Sequence, residues 1–238
     1  THNPEFTMLE YYAAYVDYIF LMDFTEDLIR AAAEAVDVKT VEIDGTSIDF
    51  SKPYRRAGYV ELLEEATGEK IVLSDEGKLT KICKKHGIDA EKDAHVGALL
   101  ELLMKNLVEP KLQEPTFVID YPKAISPLAK LKRDDDSGEI VERFELFIGG
   151  RELANSFTEL TDPVDQRERL MAQAELRQQG DEEAQAFDED FVRAVEVGMP
   201  PTGGVGLGVD RLVMLLTDQT SIRDVLLFPA MRTLPGND

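Results

Sequence analysis

Phe144-Glu145-Leu146-Phe147-Ile148-Gly149-Gly150-Arg151-Glu152-Leu153 is the stretch that decides the fold. Aromatic and branched apolar residues run up to two adjacent glycines and resume beyond them, the pattern of two antiparallel strands joined by a tight turn. A two-residue loop at Gly149-Gly150 pairs Ile148 with Arg151 and Phe147 with Glu152. Glu145 and Glu152 then share one face as diagonal neighbours on adjacent strands. Two carboxylates that close repel unless a cation lies between them. Hard oxygen ligands of this kind suit Mg2+, which keeps several waters and also takes phosphate oxygens. The alternative is a pair of solvated glutamates on an exposed hairpin.

Beyond the hairpin, Asn155, Phe157 and Glu159 share a face by alternation. A simple register puts Glu152 and Asn155 on opposite faces. If both serve one site, a β-bulge must lie near Leu153-Ala154. Further on, Gly203-Gly204-Val205-Gly206-Leu207-Gly208-Val209-Asp210-Arg211 fits neither the Rossmann nor the P-loop glycine spacing. Glycines at 204, 206 and 208 strip one strand face of side chains, so a flat ligand or another backbone can approach. Arg211 at the strand end suits a phosphate or an aromatic ring. Tight strand–helix packing with Arg211 in a structural ion pair is the other reading. Towards the N-terminus, Phe6 to Tyr12 reads as a strand, with Phe6, Met8, Glu10 and Tyr12 on one face. A buried Glu10 needs a cationic partner, whereas on a solvated face it needs none.

The rest of the chain fits an α+β class, an antiparallel sheet flanked by helices. Strands are expected at Thr116 to Asp120 and Leu153 to Glu159, with a hairpin over Val41 to Phe50 around Asp44-Gly45. Helical spacing appears at Asp23 to Val36, with Phe24, Leu28, Ile29 and Ala32 on one stripe, then at Asp165 to Gly180, Asp188 to Val197 and Arg211 to Thr217. Residues 59–112 carry several short amphipathic helices punctuated by Gly68, Gly77, Gly87 and Gly97, and read as a helical insertion. Strands divided by an all-helical block, without a regular β-α-β rhythm, argue against a doubly wound fold.

Composition bounds the function. The 238 residues can bury one sizeable core with an insertion. The longest apolar runs, such as Leu212 to Leu216 and Val225 to Phe228, are far too short to cross a bilayer. No secretory leader pattern opens the chain. The single cysteine, Cys83, forms no internal disulfide, and no Cys/His cluster suits zinc, so a reducing cytoplasm is expected. Carboxylates outnumber cations 47 to 26, a net charge of −21, which is unfavourable for a nucleic-acid partner.

His2 to Tyr12 (HNPEFTMLEYY), Glu142 to Leu160 (ERFELFIGGRELANSFTEL), Gly203 to Leu216 (GGVGLGVDRLVMLL) and Ser221 to Arg232 (SIRDVLLFPAMR) together resemble class II aminoacyl-tRNA synthetases, specifically the lysine branch. They look like the second half of motif 2, the metal and amino-acid strands, motif 3 and the C-terminal end. The resemblance spans residues 1–238 and implies the C-terminal part of the class II catalytic core. It implies ATP bound in a bent shape by His2, Asn3, Phe6, Glu145, Glu152, Gly208 and Arg211, with Phe6 stacked on adenine and His2 near the terminal phosphates. Glu145 and Glu152 would hold Mg2+, and Glu152 with Arg211 would carry the catalytic role. Glu10, Tyr12, Asn155, Phe157, Glu159 and Gly206 would form the lysine pocket, Asn155 on the carboxylate and Glu10, Tyr12 and Glu159 about the ammonium. That pocket is sensible on its own terms: an amine-tipped chain needs an apolar sleeve ending in carboxylates.

The activity so implied joins L-lysine to ATP, releases pyrophosphate and passes lysine to tRNA(Lys), in a homodimer. Motif 1, the first half of motif 2 and the anticodon-binding domain are expected to precede Thr1, so that this polypeptide alone is expected to be inactive. The main electrostatic footprint for tRNA is then expected outside it. A paralogue that attaches a β-lysine to an elongation factor carries alanine where this chain has Gly206, which favours α-lysine here. A non-catalytic lysine-binding module would have lost the metal glutamates, and both are present.

Overall fold

Capping side chains and glycine turns divide the chain into its elements. The computed structural model describes residues 3–43, 45–91, 94–181 and 184–230. Strand β1 (Met8–Ala14) leads into helix α1 (Tyr18–Ala35), the hairpin β2 (Thr40–Ile43) and β3 (Thr46–Asp49), and strand β4 (Arg55–Gly58). Helices α2 (Tyr59–Thr67), α3 (Glu76–Lys85) and α4 (Val96–Leu107) follow, then strands β5 (Thr116–Pro122), β6 (Ile140–Ile148) and β7 (Arg151–Thr158). Helices α5 (Pro163–Gln178) and α6 (Glu189–Val197), strand β8 (Thr202–Gly208) and helix α7 (Val209–Leu216) complete the order.

Six strands form one sheet in the order β1-β8-β7-β6-β5-β4, and β2 with β3 forms a separate ribbon. Every pairing in the large sheet is antiparallel except β4 with β5. The class is α+β with a mainly antiparallel sheet, as expected. The parallel pair is joined through α2, α3 and α4, because parallel neighbours need a long crossover. Gly149 and Gly150 both hold positive φ, 61° and 67°, which a two-residue hairpin turn demands. Ile148 faces Arg151 and Phe147 faces Glu152, as the turn requires.

Of the boundaries that differ from the sequence reading, two bear on the argument. β1 begins at Met8, leaving Phe6 outside the ladder. α1 begins at Tyr18, well ahead of Asp23, because the Asp17 carboxylate accepts the amides of Ile19 and Phe20. The buried stripe runs through Leu21, Met22, Thr25, Ile29 and Ala33, with Leu28 and Ala32 packed beside it, and Phe24 is exposed.

The sheet separates two apolar layers. α1, β2 and β3 pack on one face through Leu21, Ile29, Ile48, Phe117, Phe144 and Leu146. α2, α3 and α4 cover part of the other through Leu63, Leu79, Leu99, Leu103, Val118 and Phe147.

Two irregularities re-phase the strands. Leu146 faces Ala154 while Phe147 faces Glu152, so Leu153 is an extra residue, and the bulge expected near Leu153-Ala154 is present. Leu153 and Ala154, though successive, both enter the α1 layer. A second shift falls between Ile119 and Tyr121, where Asp120 sits at φ 62°.

Phe144 is fully buried and meets Phe117 edge to face at 5.0 Å. Phe144→Ala is expected to lower stability by about 3–5 kcal/mol. Urea unfolding followed by circular dichroism measures it, and a loss below about 1 kcal/mol contradicts the packing described.

Candidate active site

Cross-strand partners in a regular ladder share a face, so the register alone assembles the site. Glu10 faces Gly206, Gly206 faces Asn155, and Asn155 faces Glu145. One row of β1, β8, β7 and β6 therefore carries three of the expected residues beside a bare glycine. The next row holds Tyr12, Gly204, Phe157 and Arg143 in the same way. Glu152, opposite Phe147, lies on this face too, since Phe147 is two residues from Glu145. The Leu153 bulge is what puts Asn155 on the face of Glu152.

Gly204 is where the glycine spacing matters. A Cβ there would lie 2.5 Å from the Tyr12 ring and 2.7 Å from a Glu159 carboxylate oxygen. Both side chains thus lie over the bare backbone of β8, and Glu159 joins the row although it follows β7. Burial pushes the Glu159 carboxyl up to about 7. Tyr12 is raised as well, by partial desolvation and then by the charges of Glu10 and Glu159, so both carboxylates are within electrostatic reach of one phenol.

Glu10 itself is exposed, on an edge strand, and no protein cation pairs with it among the described residues. Of the two readings of Glu10, the solvated one holds: the β1 end of this face is open to solvent. Phe6, 59% exposed, precedes the strand, and the Asn3 side chain donates to the Glu5 carbonyl. His2 and the end of the last motif, Met231 and Arg232, lie outside the described residues.

At the other end the face is closed. Glu145 receives Arg143 at 2.6 Å on one oxygen and the Tyr121 hydroxyl at 2.8 Å on the other. Glu152 is raised by burial and then by the charge of Glu145, although Arg211 approaches it at 3.5 Å. Glu109 is raised by burial and then by Glu145. Carboxylates crowd here beyond what Arg143 and Arg211 neutralise. Arg211 leaves the first turn of α7, just after Gly208, and also donates to the Glu152 carbonyl. A cleft lined by Glu152, Arg211, Ile43, Ile148 and Met214 opens beside this pair. Among the described residues no group of three or more His, Cys, Asp or Glu is placed to hold a metal ion.

Arg143 and Tyr121 are the residues that sequence reading missed. Arg143 stands two positions before Glu145, and alternation was the available signal. Tyr121 reaches this face only through the irregularity at Asp120, which nothing in the local sequence announces.

The family model of class II tRNA synthetases (D, K and N) matches residues 1–232. The chain belongs to that family. It is 52% identical over 236 residues to the lysine–tRNA ligase of Campylobacter jejuni (strain RM1221), covering 98% of this chain and 47% of that protein. The lysine–tRNA ligase of Carboxydothermus hydrogenoformans is 51% identical over 234 residues, covering 97% and 47%. That of Burkholderia cenocepacia (strain HI2424) is 50% identical over 238 residues, covering 97% and 46%. The chain spans about half the length of the curated relatives it matches. Among the described residues no helix is long and apolar enough to cross a membrane.

A raised carboxyl binds more protons folded than unfolded between the two pKa values. For Glu159 this means stability that is present below 4.5 and lost as pH rises through about 7. Glu159→Gln is expected to flatten the stability–pH curve across that window, measured by thermal unfolding at a series of pH values. An unchanged slope contradicts the burial of this carboxyl.

Proposed function

We infer that this chain supplies the active site of a lysine–tRNA ligase, forming lysyl-adenylate from L-lysine and ATP and then lysyl-tRNA(Lys). One observation carries the reading: Glu10 and Glu159, from separate segments, both act on Tyr12 across a glycine-bared face. Neither β1 nor residues 152–159 contributes Arg or Lys. A carboxylate pair without a protein cation fits an ammonium-tipped side chain, with Phe157 and Gly206 along its apolar stem. A substrate ending in a carboxylate would be repelled. A buried polar group left unpaired by the wrong ligand is a strong discriminator. The names borne by the relatives agree with this assignment.

The chemistry follows from the groups in place. The α-carboxylate of an amino acid is ionised at neutral pH, so it attacks the α-phosphorus without a general base. The new bond joins the carboxylate oxygen to phosphorus, and the bond to pyrophosphate breaks. The chain's work is placement and charge neutralisation. Asn155 holds the carboxylate, Arg211 and Gly208 meet the nucleotide phosphates, and Asn3, Phe6 and His2 receive the rest of ATP.

Mg2+ fits this site. Glu152 keeps a raised proton affinity from burial and Glu145 even with Arg211 beside it, an excess of negative charge that a cation relieves. Glu145 and Glu152 would hold the ion, and when bound it supplies positive charge to the phosphate oxygens. A homodimer in the cytoplasm that acts on tRNA belongs to the same reading.

Lysine-dependent ATP–pyrophosphate exchange by the complete polypeptide tests it. Gly204→Ala places a methyl group against Tyr12 and Glu159, and is expected to raise the KM for lysine roughly tenfold or more while leaving that for ATP near its starting value. Exchange that does not depend on lysine, or a variant that alters both constants alike, contradicts the assignment.

A further inference from the structure

Arg143 is tethered on every side, and the chemistry above does not use it. Its Nε donates to Asn155 Oδ1 at 3.1 Å, and one terminal nitrogen to Glu145 Oε1 at 2.6 Å. The other terminal nitrogen donates to the Ile125 carbonyl at 2.7 Å and the Ser126 hydroxyl at 2.9 Å. The guanidinium carbon lies 4.6 Å from the centroid of the Tyr121 ring. Its side chain is only 15% exposed, and its partner Glu145 only 16%. A planar fork held by four hydrogen bonds and a ring face has no rotational slack.

The consequence falls on Asn155. A carboxamide has an acceptor end and a donor end, and they cannot both face the same way. With Oδ1 taken by Arg143, the amide NH2 is turned away from β6. Its cross-strand partner on the far side, Gly206, has no side chain to meet it. A paired donor directed over bare backbone suits a carboxylate. An amide flipped the other way would present its oxygen and repel that group.

We propose that Arg143 is a positioning residue that fixes the polarity of the Asn155 carboxamide and so creates the subsite for the α-carboxylate of the amino acid. It acts through Asn155, since four of its five N–H donors are engaged by the protein. This rests on the reading of Asn155 as the carboxylate-binding residue, and adds how the fold makes it so.

The test compares L-lysine with lysinol, in which an alcohol replaces the carboxylate, by calorimetry on the complete polypeptide. Arg143→Met and Arg143→Lys are used, the second because lysine keeps the charge and the fold but cannot fork. Both are expected to weaken lysine roughly tenfold or more and to change lysinol by less than about twofold, as loss of a charge-linked hydrogen bond predicts. In an Asn155→Ala background neither should weaken lysine further. Equal weakening of both ligands, or an undiminished loss in that background, overturns the proposal. Should the unaltered protein bind neither ligand, the lysine reading itself fails. The side-chain amide resonance of Asn155 then decides the positioning role: a shift on Arg143→Lys sustains it, and none overturns it.

Discussion

A pleated strand presents only alternate side chains to a given face, so residues an odd number apart cannot meet there without a break in the ladder. Glu152 and Asn155 are such a pair on β7, and Val118 and Tyr121 are such a pair on β5. All four stand on the face of Glu145 because β7 carries one extra residue, Leu153, while β5 is one residue short, Asp120 alone standing opposite Glu142 and Arg143. A bulge leaves backbone groups unpaired and bends its strand, so it persists only where its surroundings hold it. At Leu153 the hold is apolar, since two successive side chains enter the α1 layer. At Asp120 it is polar: the Tyr18 hydroxyl and the Lys132 ammonium, at 2.8 and 2.5 Å, grip the carboxylate of a residue in left-handed backbone. That Tyr121 reaches Glu145, and that Glu152 and Asn155 share its face, depends on these two departures.

The electrostatic burden of the face is uneven. Glu109, Glu152 and Glu159 all have raised proton affinities, in each case chiefly through burial. Perturbed carboxyls gathered in one place mark sites whose charge is completed by something other than the protein. A lysine ammonium at one end and a cation with phosphates at the other would bring the face towards neutrality. The proposed amino-acid activation is therefore electrostatically natural for this face. Transfer to tRNA is not: at a net charge of −21 the chain repels polyphosphate, and attraction has to come from local cations or from other protein surface.

Much of this was legible in the sequence where chemistry and periodicity pointed the same way. The Gly149-Gly150 turn set the hairpin register, and the need to place Glu152 and Asn155 together forecast the bulge. The start of α1 was hidden because Tyr18 to Met22 is aromatic and β-branched enough to read as strand, and only the Asp17 cap reveals the helix. Asp120 was harder to read: aspartate enters the left-handed region more readily than most residues, but it is common in ordinary backbone too, so its presence inside an apolar run does not mark the irregularity. The surroundings of Glu10 stayed open because alternation tells which face a residue takes and is silent on whether that face is covered. Covering is a property of strand order, and β1 proved to be an edge.

That edge position divides the site into two mechanical regimes. Glu145, Arg143 and Asn155 sit on interior strands and are tied to one another by side-chain hydrogen bonds, so their geometry is set before any ligand arrives. Glu10 and Tyr12 face glycines across the only ladder β1 possesses, and receive no cross-strand side-chain support from it. The ladder's backbone hydrogen bonds set where they stand, and both side chains are exposed, which leaves them room to adjust. The reacting carboxylate and phosphates would meet the rigid interior, where placement governs rate. The ammonium would meet the adaptable rim, where a flexible substrate chain of several rotatable bonds can be accommodated without disturbing the reacting end.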